Sequence, residues 1–137
     1  GIGSDSHVSL SIVDELRTLE YSQRLRDQQR NRLYSEQQKN VGEFLFNGAI
    51  AGGNQACAVD IGLKVGARAD FMTLDASHPF IAAGQPKDLI NRWLFACNDN
   101  LIQDVYVAGK QVIEQGQHPL EEQNKQDFVQ VMKRVLL

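Results

Sequence analysis

Gly1-Ile2-Gly3-Ser4-Asp5-Ser6-His7 opens the chain, and the reading of this stretch decides the fold. The short apolar Gly-Ile-Gly reads as the last residues of a strand, and Ser-Asp-Ser as the loop leaving it. The small neighbours leave the Asp5 carboxylate accessible at that strand end. In a parallel β/α barrel the C-terminal ends of strands are where active sites gather. A carboxylate placed there can bind a divalent metal and accept a proton from metal-bound water. Serine and aspartate also favour turns in any fold, and on these residues alone a plain turn is the favoured reading. His7 is a second possible ligand. A chain that opens on the end of a strand, with no initiator methionine, is expected to be incomplete.

Working outward, the 137 residues suffice for one modest domain with a hydrophobic core. Apolar residues make up 42% and charged residues 23%, near the averages for a soluble globular chain. No apolar run reaches the roughly 18 residues of a membrane span, and the first residues lack the basic and apolar regions of a signal peptide. The net charge of -3 comes from mixed acidic and basic residues, which argues against a nucleic-acid-binding face. Cys57 and Cys97 are read as reduced thiols of a cytoplasmic protein. Neither belongs to a C-x-x-C arrangement, which excludes a zinc knuckle.

The periodicity predicts a helix from about residue 11 to 33, opened by a Ser11-x-x-Asp14 cap and striped by Ile12, Leu16 and Leu19. Its polar second half is expected to be exposed, with Arg17, Arg24, Arg26, Arg30 and Arg32 forming a solvated face offset by Glu20 and Asp27. A second helix is predicted over about 41 to 56. Gly48, Gly52 and Gly53 inside it imply either a close neighbour or an early end, since each costs about 1 kcal/mol against alanine. A short strand is expected over about 70 to 74, and a hairpin over Val105–Val107 and Gln111–Glu114, turning at Gly109-Lys110. Between them, the stretch 88–97 around Trp93 reads as a short helix or an irregular apolar segment. A last helix follows Pro119, with Phe128, Val131, Met132 and Val135 on one face.

Little else carries chemistry. His78 and His118 each precede a proline and read as exposed loop residues. No H-x-H or H-E-x-x-H pattern is present. A catalytic zinc usually takes three protein ligands, and the chain does not visibly assemble them. Gly109-Lys110 lacks the Ser or Thr and the leading glycine of a phosphate loop.

Three segments taken together resemble the amidohydrolase superfamily. GIGSDSH (1–7) resembles its eighth barrel strand and aspartate. GLKVGARADFMTLD (62–75) resembles the strand after the barrel, with its G-x-x-A-D pattern. DVYVAGKQVIEQG (104–116) resembles the closing hairpin of the small β-sandwich beside the barrel. Within the superfamily, LEYSQRLRDQQRNRL (19–33) after GSDSHVSLSIVDELR (3–17) resembles the formimidoylglutamate deiminase family of histidine degradation. RWLFACNDNLIQDVYVAGKQVIEQGQH (92–118) agrees with that choice.

The resemblance implies an α+β fragment: the last strand and helices of a (β/α)8 barrel plus part of the flanking sandwich. It divides the chain into 1–58, the end of the metal-dependent hydrolase barrel; 59–118, part of the composite β-sandwich; and 119–137, a C-terminal helix. The whole parent is expected to be a cytoplasmic enzyme that hydrolyses N-formimino-L-glutamate to N-formyl-L-glutamate and ammonia with one divalent metal, zinc. Asp5 matches the strand-eight metal ligand, which in the family also moves the proton of the attacking water. The family's other ligands and its substrate-binding residues have no counterpart here, so the chain alone is expected to be inactive and not to retain the zinc. Its implied partners are a small-molecule substrate, the remainder of the same polypeptide and further copies in a homo-oligomer, with no nucleic acid or membrane. Two other readings stand beside this one. The parent is another amidohydrolase, acting on guanine, adenosine-type or triazine substrates; or the chain is a non-enzymatic α+β module that self-associates through uncovered edges.

Overall fold

The protein is represented by a computed structural model, which describes Ile2, Gly3, Asp5 and residues 9–136. Its elements are α1 (Ile12–Asp27), α2 (Val41–Cys57), β1 (Phe71–Leu74), α3 (Pro79–Ala82), a 3-10 turn (Pro86–Asp88), α4 (Leu89–Phe95), β2 (Ile102–Val107), β3 (Lys110–Ile113) and α5 (Glu121–Val135). They fall into two compact units. One comprises Gly1–Asp60 with Ala76–Asn100, and the other Ile61–Asp75 with Leu101–Leu137. No helix among the described residues is long and apolar enough to cross a membrane.

The first unit is helical and centres on α4, which packs against α1, α2 and α3. Trp93 and Leu94 of α4 are buried with Leu16 of α1, Val41 and Leu45 of α2, and Ile81 of α3. The stretch read as either helix or irregular segment is therefore a short helix at the heart of the core. Such a short helix draws its stability from packing rather than from its own propensity. Phe46 meets Trp93 edge-on, with ring centroids 5.6 Å apart, a geometry aromatic quadrupoles favour.

Helix α1 begins as predicted, the Ser11 hydroxyl accepting from the Asp14 N–H at 3.2 Å. It does not run to residue 33. Gln28 adopts a left-handed conformation (φ 51°) and closes the helix onto the Arg24 carbonyl. The reason for the early stop is Glu20, whose side chain is fully buried. One carboxylate oxygen accepts from Arg24 Nε at 2.6 Å and from the Arg32 backbone N–H at 3.0 Å. The other accepts from the Leu33 N–H at 2.9 Å. The polar run after Asp27 thus folds back over its own helix, because a buried carboxylate needs these donors.

The expected arginine face is offset by Glu20 and Asp27, with Arg26 and Arg30 exposed, but Arg17 departs from it. Arg17 reaches across to the end of α4 and donates to the Leu94 carbonyl at 2.7 Å, the Cys97 carbonyl at 2.6 Å and Asn98 Oδ1 at 2.9 Å. A helix end leaves such carbonyls without intrahelical partners, and the guanidinium fork supplies donors for them. Arg26 and Arg32 both bind Asp27, and their hydrogen bonds hold its carboxyl well below the usual carboxylate range.

Helix α2 is capped by Asn40, which accepts from the Glu43 N–H at 3.0 Å. It runs to Cys57 without an early end. Neither Gly48 nor Gly53 has a neighbour within 4 Å of an added Cβ. The close approach lies instead at Gly42, where a Cβ would stand 2.7 Å from Asn91 Oδ1 and 2.9 Å from the Asn91 backbone nitrogen. The Gly42 N–H donates to that same Oδ1 at 2.7 Å.

The second unit is a three-stranded antiparallel sheet in the order β1-β2-β3, followed by α5. Phe71 pairs with Tyr106 and their rings stack at 4.5 Å. The hairpin turns one residue earlier than predicted, on Ala108 (φ 51°) and Gly109 (φ 77°). Both central residues of such a two-residue turn need positive φ, which alanine adopts only at a cost of about 1 kcal/mol. The preceding G-x-x-A-D segment holds it: Asp70 accepts from the Ala108 N–H at 2.6 Å, and Ala69 from the Gly109 N–H at 2.8 Å. Asp104 ties the strands together, accepting from Thr73 Oγ1 at 2.9 Å and from the Gln115 N–H at 3.1 Å. The apolar face predicted for α5 exists in sequence, yet Phe128, Val131 and Val135 remain exposed.

Two outcomes are expected in urea unfolding. Glu20→Ala strands two backbone donors and a guanidinium, and should cost about 2–4 kcal/mol. Burial acts to raise the Glu20 pKa, but the Arg24 side chain and the Arg32 and Leu33 N–H groups lower it on balance. A depressed folded-state pKa stabilises above the unfolded value and the benefit is lost as pH falls through the folded value. The difference between wild type and Glu20→Ala should therefore shrink in acid. Separately, Gly42→Ala should destabilise by about 1–3 kcal/mol by overpacking against Asn91, whereas Gly48→Ala should stabilise by up to about 1 kcal/mol.

Candidate functional site

Asp5 sits in a turn with φ 55° and is exposed. A positive φ is uncommon outside glycine, and aspartate tolerates it better than most residues. Asp5 borders an open depression of about 460 Å³ shared with Ile2, Gly3, Ser9, Ile12 and Glu15. The depression lies beside the start of α1, whose first turn carries Asp14 and Glu15. His7, the second possible ligand, lies outside the described residues, as do Ser4 and Ser6. Among the described residues Asp5 belongs to no group of three metal-binding side chains. One carboxylate does not make a catalytic metal site, which usually takes three protein ligands. The residues described here therefore do not by themselves fit the metal that the family resemblance implies.

A different set of ligand-type side chains does converge. His78, Cys97 and Asp99 place one donor atom each within 4.8 Å of one another. His78 Nε2 is 3.8 Å from Cys97 Sγ and 3.4 Å from Asp99 Oδ2, and Cys97 Sγ is 3.9 Å from the same oxygen. His78 is the N-cap residue of α3, with Pro79 at the first helical position. Its ring lies 5.8 Å from that of Phe80. Cys97 follows the last turn of α4, where Arg17 holds its carbonyl. The exposed-loop expectation for His78 is corrected: its side chain is only 19% exposed, because Pro79 and Ile81 fold the following residues into a helix against α4. His118 is exposed as expected. Both cysteines carry free thiols, Cys57 exposed and Cys97 buried.

Sequence reasoning missed this group for a physical reason. Cys97 and Asp99 are two residues apart, but His78 joins them only because α3 and α4 pack together. No local spacing signals a donor brought in by tertiary packing. Within the sequence, the Cys-x-Asp spacing just after an apolar helix is the one trace of it.

Comparison with known proteins bears on the family. No family model matches the chain. Over 137 residues, 99% of this chain, it is 53% identical to a formimidoylglutamate deiminase of Pseudomonas aeruginosa. In fold it matches an amidohydrolase from Brucella melitensis with a TM-score of 0.88 and 38% identity over 100% of this chain. The chain spans 30% of the length of each of these relatives. The likeness expected from the sequence thus holds at both levels: this chain resembles, throughout its length, part of a formimidoylglutamate deiminase in sequence and part of an amidohydrolase in fold.

Proposed function

We propose that this chain is the C-terminal part of a formimidoylglutamate deiminase, a metal-dependent hydrolase acting on the amidine C–N bond of N-formimino-L-glutamate. The observation that carries the reading is the 53% identity sustained over nearly the whole chain. In this reading residues 1–58 end a (β/α)8 barrel, 59–118 contribute to a β-sandwich, and 119–137 form the closing helix. The antiparallel sheet and the short, tightly pinned hairpin suit a sandwich edge. The exposed apolar residues of α5 suit a surface covered by protein in the assembled enzyme, either the remainder of the polypeptide or a second copy. The two free thiols suit a reducing, cytoplasmic compartment.

The reaction consumes water and releases N-formyl-L-glutamate and ammonia. Water adds to the formimino carbon of the protonated amidine. The resulting tetrahedral centre expels its terminal nitrogen as ammonia once that nitrogen takes up a further proton, the hydroxyl proton leaving as the formyl C=O forms. Asp5 is the proposed carrier of the proton between these events: its carboxylate accepts a proton from the attacking water and returns it to the departing amine. A bound zinc supplies an acidified water and a Lewis acid at such a centre. Its other donors and the substrate-binding groups belong to segments of the enzyme outside this chain. The structure is similarly close to a protein named only as an amidohydrolase, so the coarser reading, a hydrolase of this superfamily with another substrate such as guanine, is the alternative.

The test is ammonia release by the full-length polypeptide, assayed with N-formimino-L-glutamate and with guanine. The deiminase reading expects turnover of the first substrate only. Asp5→Asn should lower kcat by about 10²–10⁴-fold while leaving KM within a few-fold. The 137-residue chain alone should release none. An Asp5→Asn enzyme with full activity would overturn the assignment of Asp5, and turnover by the isolated chain would overturn the placing of the other catalytic groups outside it. Turnover of guanine alone would overturn the substrate.

A further inference from the structure

We propose that His78, Cys97 and Asp99 form a binding site for a divalent cation of the zinc type, held by imidazole Nε2, thiolate Sγ and one carboxylate oxygen. The spacing of the three donors carries the inference. Metal–ligand distances of about 2.0–2.3 Å in a tetrahedron place neighbouring ligand atoms roughly 3.3–3.6 Å apart. The observed edges are 3.4, 3.8 and 3.9 Å, so a contraction of a few tenths of an ångström closes the set on an ion.

Without an ion, weak hydrogen bonds span two of the edges: the thiol donates to Asp99 Oδ2, and an Nε2–H of His78 donates to the same sulfur. The third edge, 3.4 Å between His78 and Asp99, exceeds the 2.7–3.2 Å usual for an N–H···O bond. A single ion engages all three donors at once.

The donor types and the exposure fit the same ligand. One thiolate, one imidazole and one carboxylate suit zinc, whose d¹⁰ shell imposes no geometry and accepts all three. Cys97 is 5% exposed and the His78 side chain 19%, while that of Asp99 is 77% exposed. The three thus present a half-buried base with one side facing solvent, which leaves a fourth position for water. Arg17 fixes the backbone at Cys97 and Asn98, and Pro79 fixes the entry to α3 beside His78, so two of the donors rest on rigid segments. Coordination through Nε2 puts the ring proton on Nδ1, a buried atom with no acceptor among the described residues. The site is therefore weaker than one whose histidine is backed by a carboxylate. Asp5 is no member of the group, and the inference stands independently of the deiminase reading.

The experiment is titration of the metal-free full-length polypeptide with Co²⁺, followed by displacement with Zn²⁺. A thiolate-to-cobalt charge-transfer band should grow in with one equivalent of ion, and Zn²⁺ should abolish it. Cys97→Ser should remove the charge-transfer band. His78→Ala and Asp99→Asn keep the thiol and should weaken Co²⁺ binding at least about tenfold, the lower end of what a lost outer-shell partner costs. Cys57→Ser should leave the charge-transfer band and its affinity unchanged. Absence of a thiolate band at excess Co²⁺, a band that survives Cys97→Ser, or a band lost with Cys57→Ser would overturn the site. Should Cys97→Ser fail to fold, unchanged Co²⁺ affinity in folded His78→Ala overturns it equally.

Discussion

A single guanidinium organises the helical unit. Arg17 projects from α1 onto the end of α4 and donates to two main-chain carbonyls and one side-chain amide. Those carbonyls would otherwise lie part-buried at a helix terminus without partners, at a cost of about 1–3 kcal/mol each. Helix α4 is only seven residues long, too short to persist without tertiary support. Its fully buried Trp93 and Leu94 supply the apolar part of that support, and Arg17 supplies the polar part. The same contact sets the course of the chain through Cys97 and Asn98, and so determines where the thiol of Cys97 stands relative to His78.

Glu20, one turn further along α1, plays the matching role for the following loop. A carboxylate buried without partners would be protonated or expelled. Here it gathers a guanidinium and two backbone N–H groups, and in doing so turns the chain back at Gln28. The two charged residues of one helix thus define both its neighbour and its own end. In the sheet unit, the carboxylates Asp70 and Asp104 act in the same way, one pinning a strained turn and the other tying adjacent strands. Polar side chains, more than apolar bulk, specify the connections of this chain.

That division explains what was legible in the sequence. The cap at Ser11, the strand Phe71–Leu74, the hairpin and the closing helix all announce themselves through local pattern. The helix end at Asp27 did not, since the run of glutamines and arginines after it has good helix propensity and tertiary demand from Glu20 overrides it. The close approach at Gly42 was equally hidden: Gly48, Gly52 and Gly53 look more suggestive, but only the position of Asn91 on a distant helix decides which glycine is needed. Asp5 was singled out because its small neighbours are adjacent in sequence, but it lies in a turn and the described Ile2 and Gly3 form no strand, so the strand end read there is not seen. The group at His78, Cys97 and Asp99 was not, because packing of α3 on α4 creates it.

In the proposed function the chain is one portion of a hydrolase whose chemistry needs Asp5 together with groups carried elsewhere in the protein, and split-enzyme complementation examines this most directly. The segment found in its relatives but outside this chain would be produced separately and mixed with the 137-residue chain. Ammonia release from N-formimino-L-glutamate should be absent from either portion and appear only on mixing, with the Asp5→Asn chain failing to restore it. Full activity in the separate segment without this chain, or a stable complex of the two that releases no ammonia, would contradict the account.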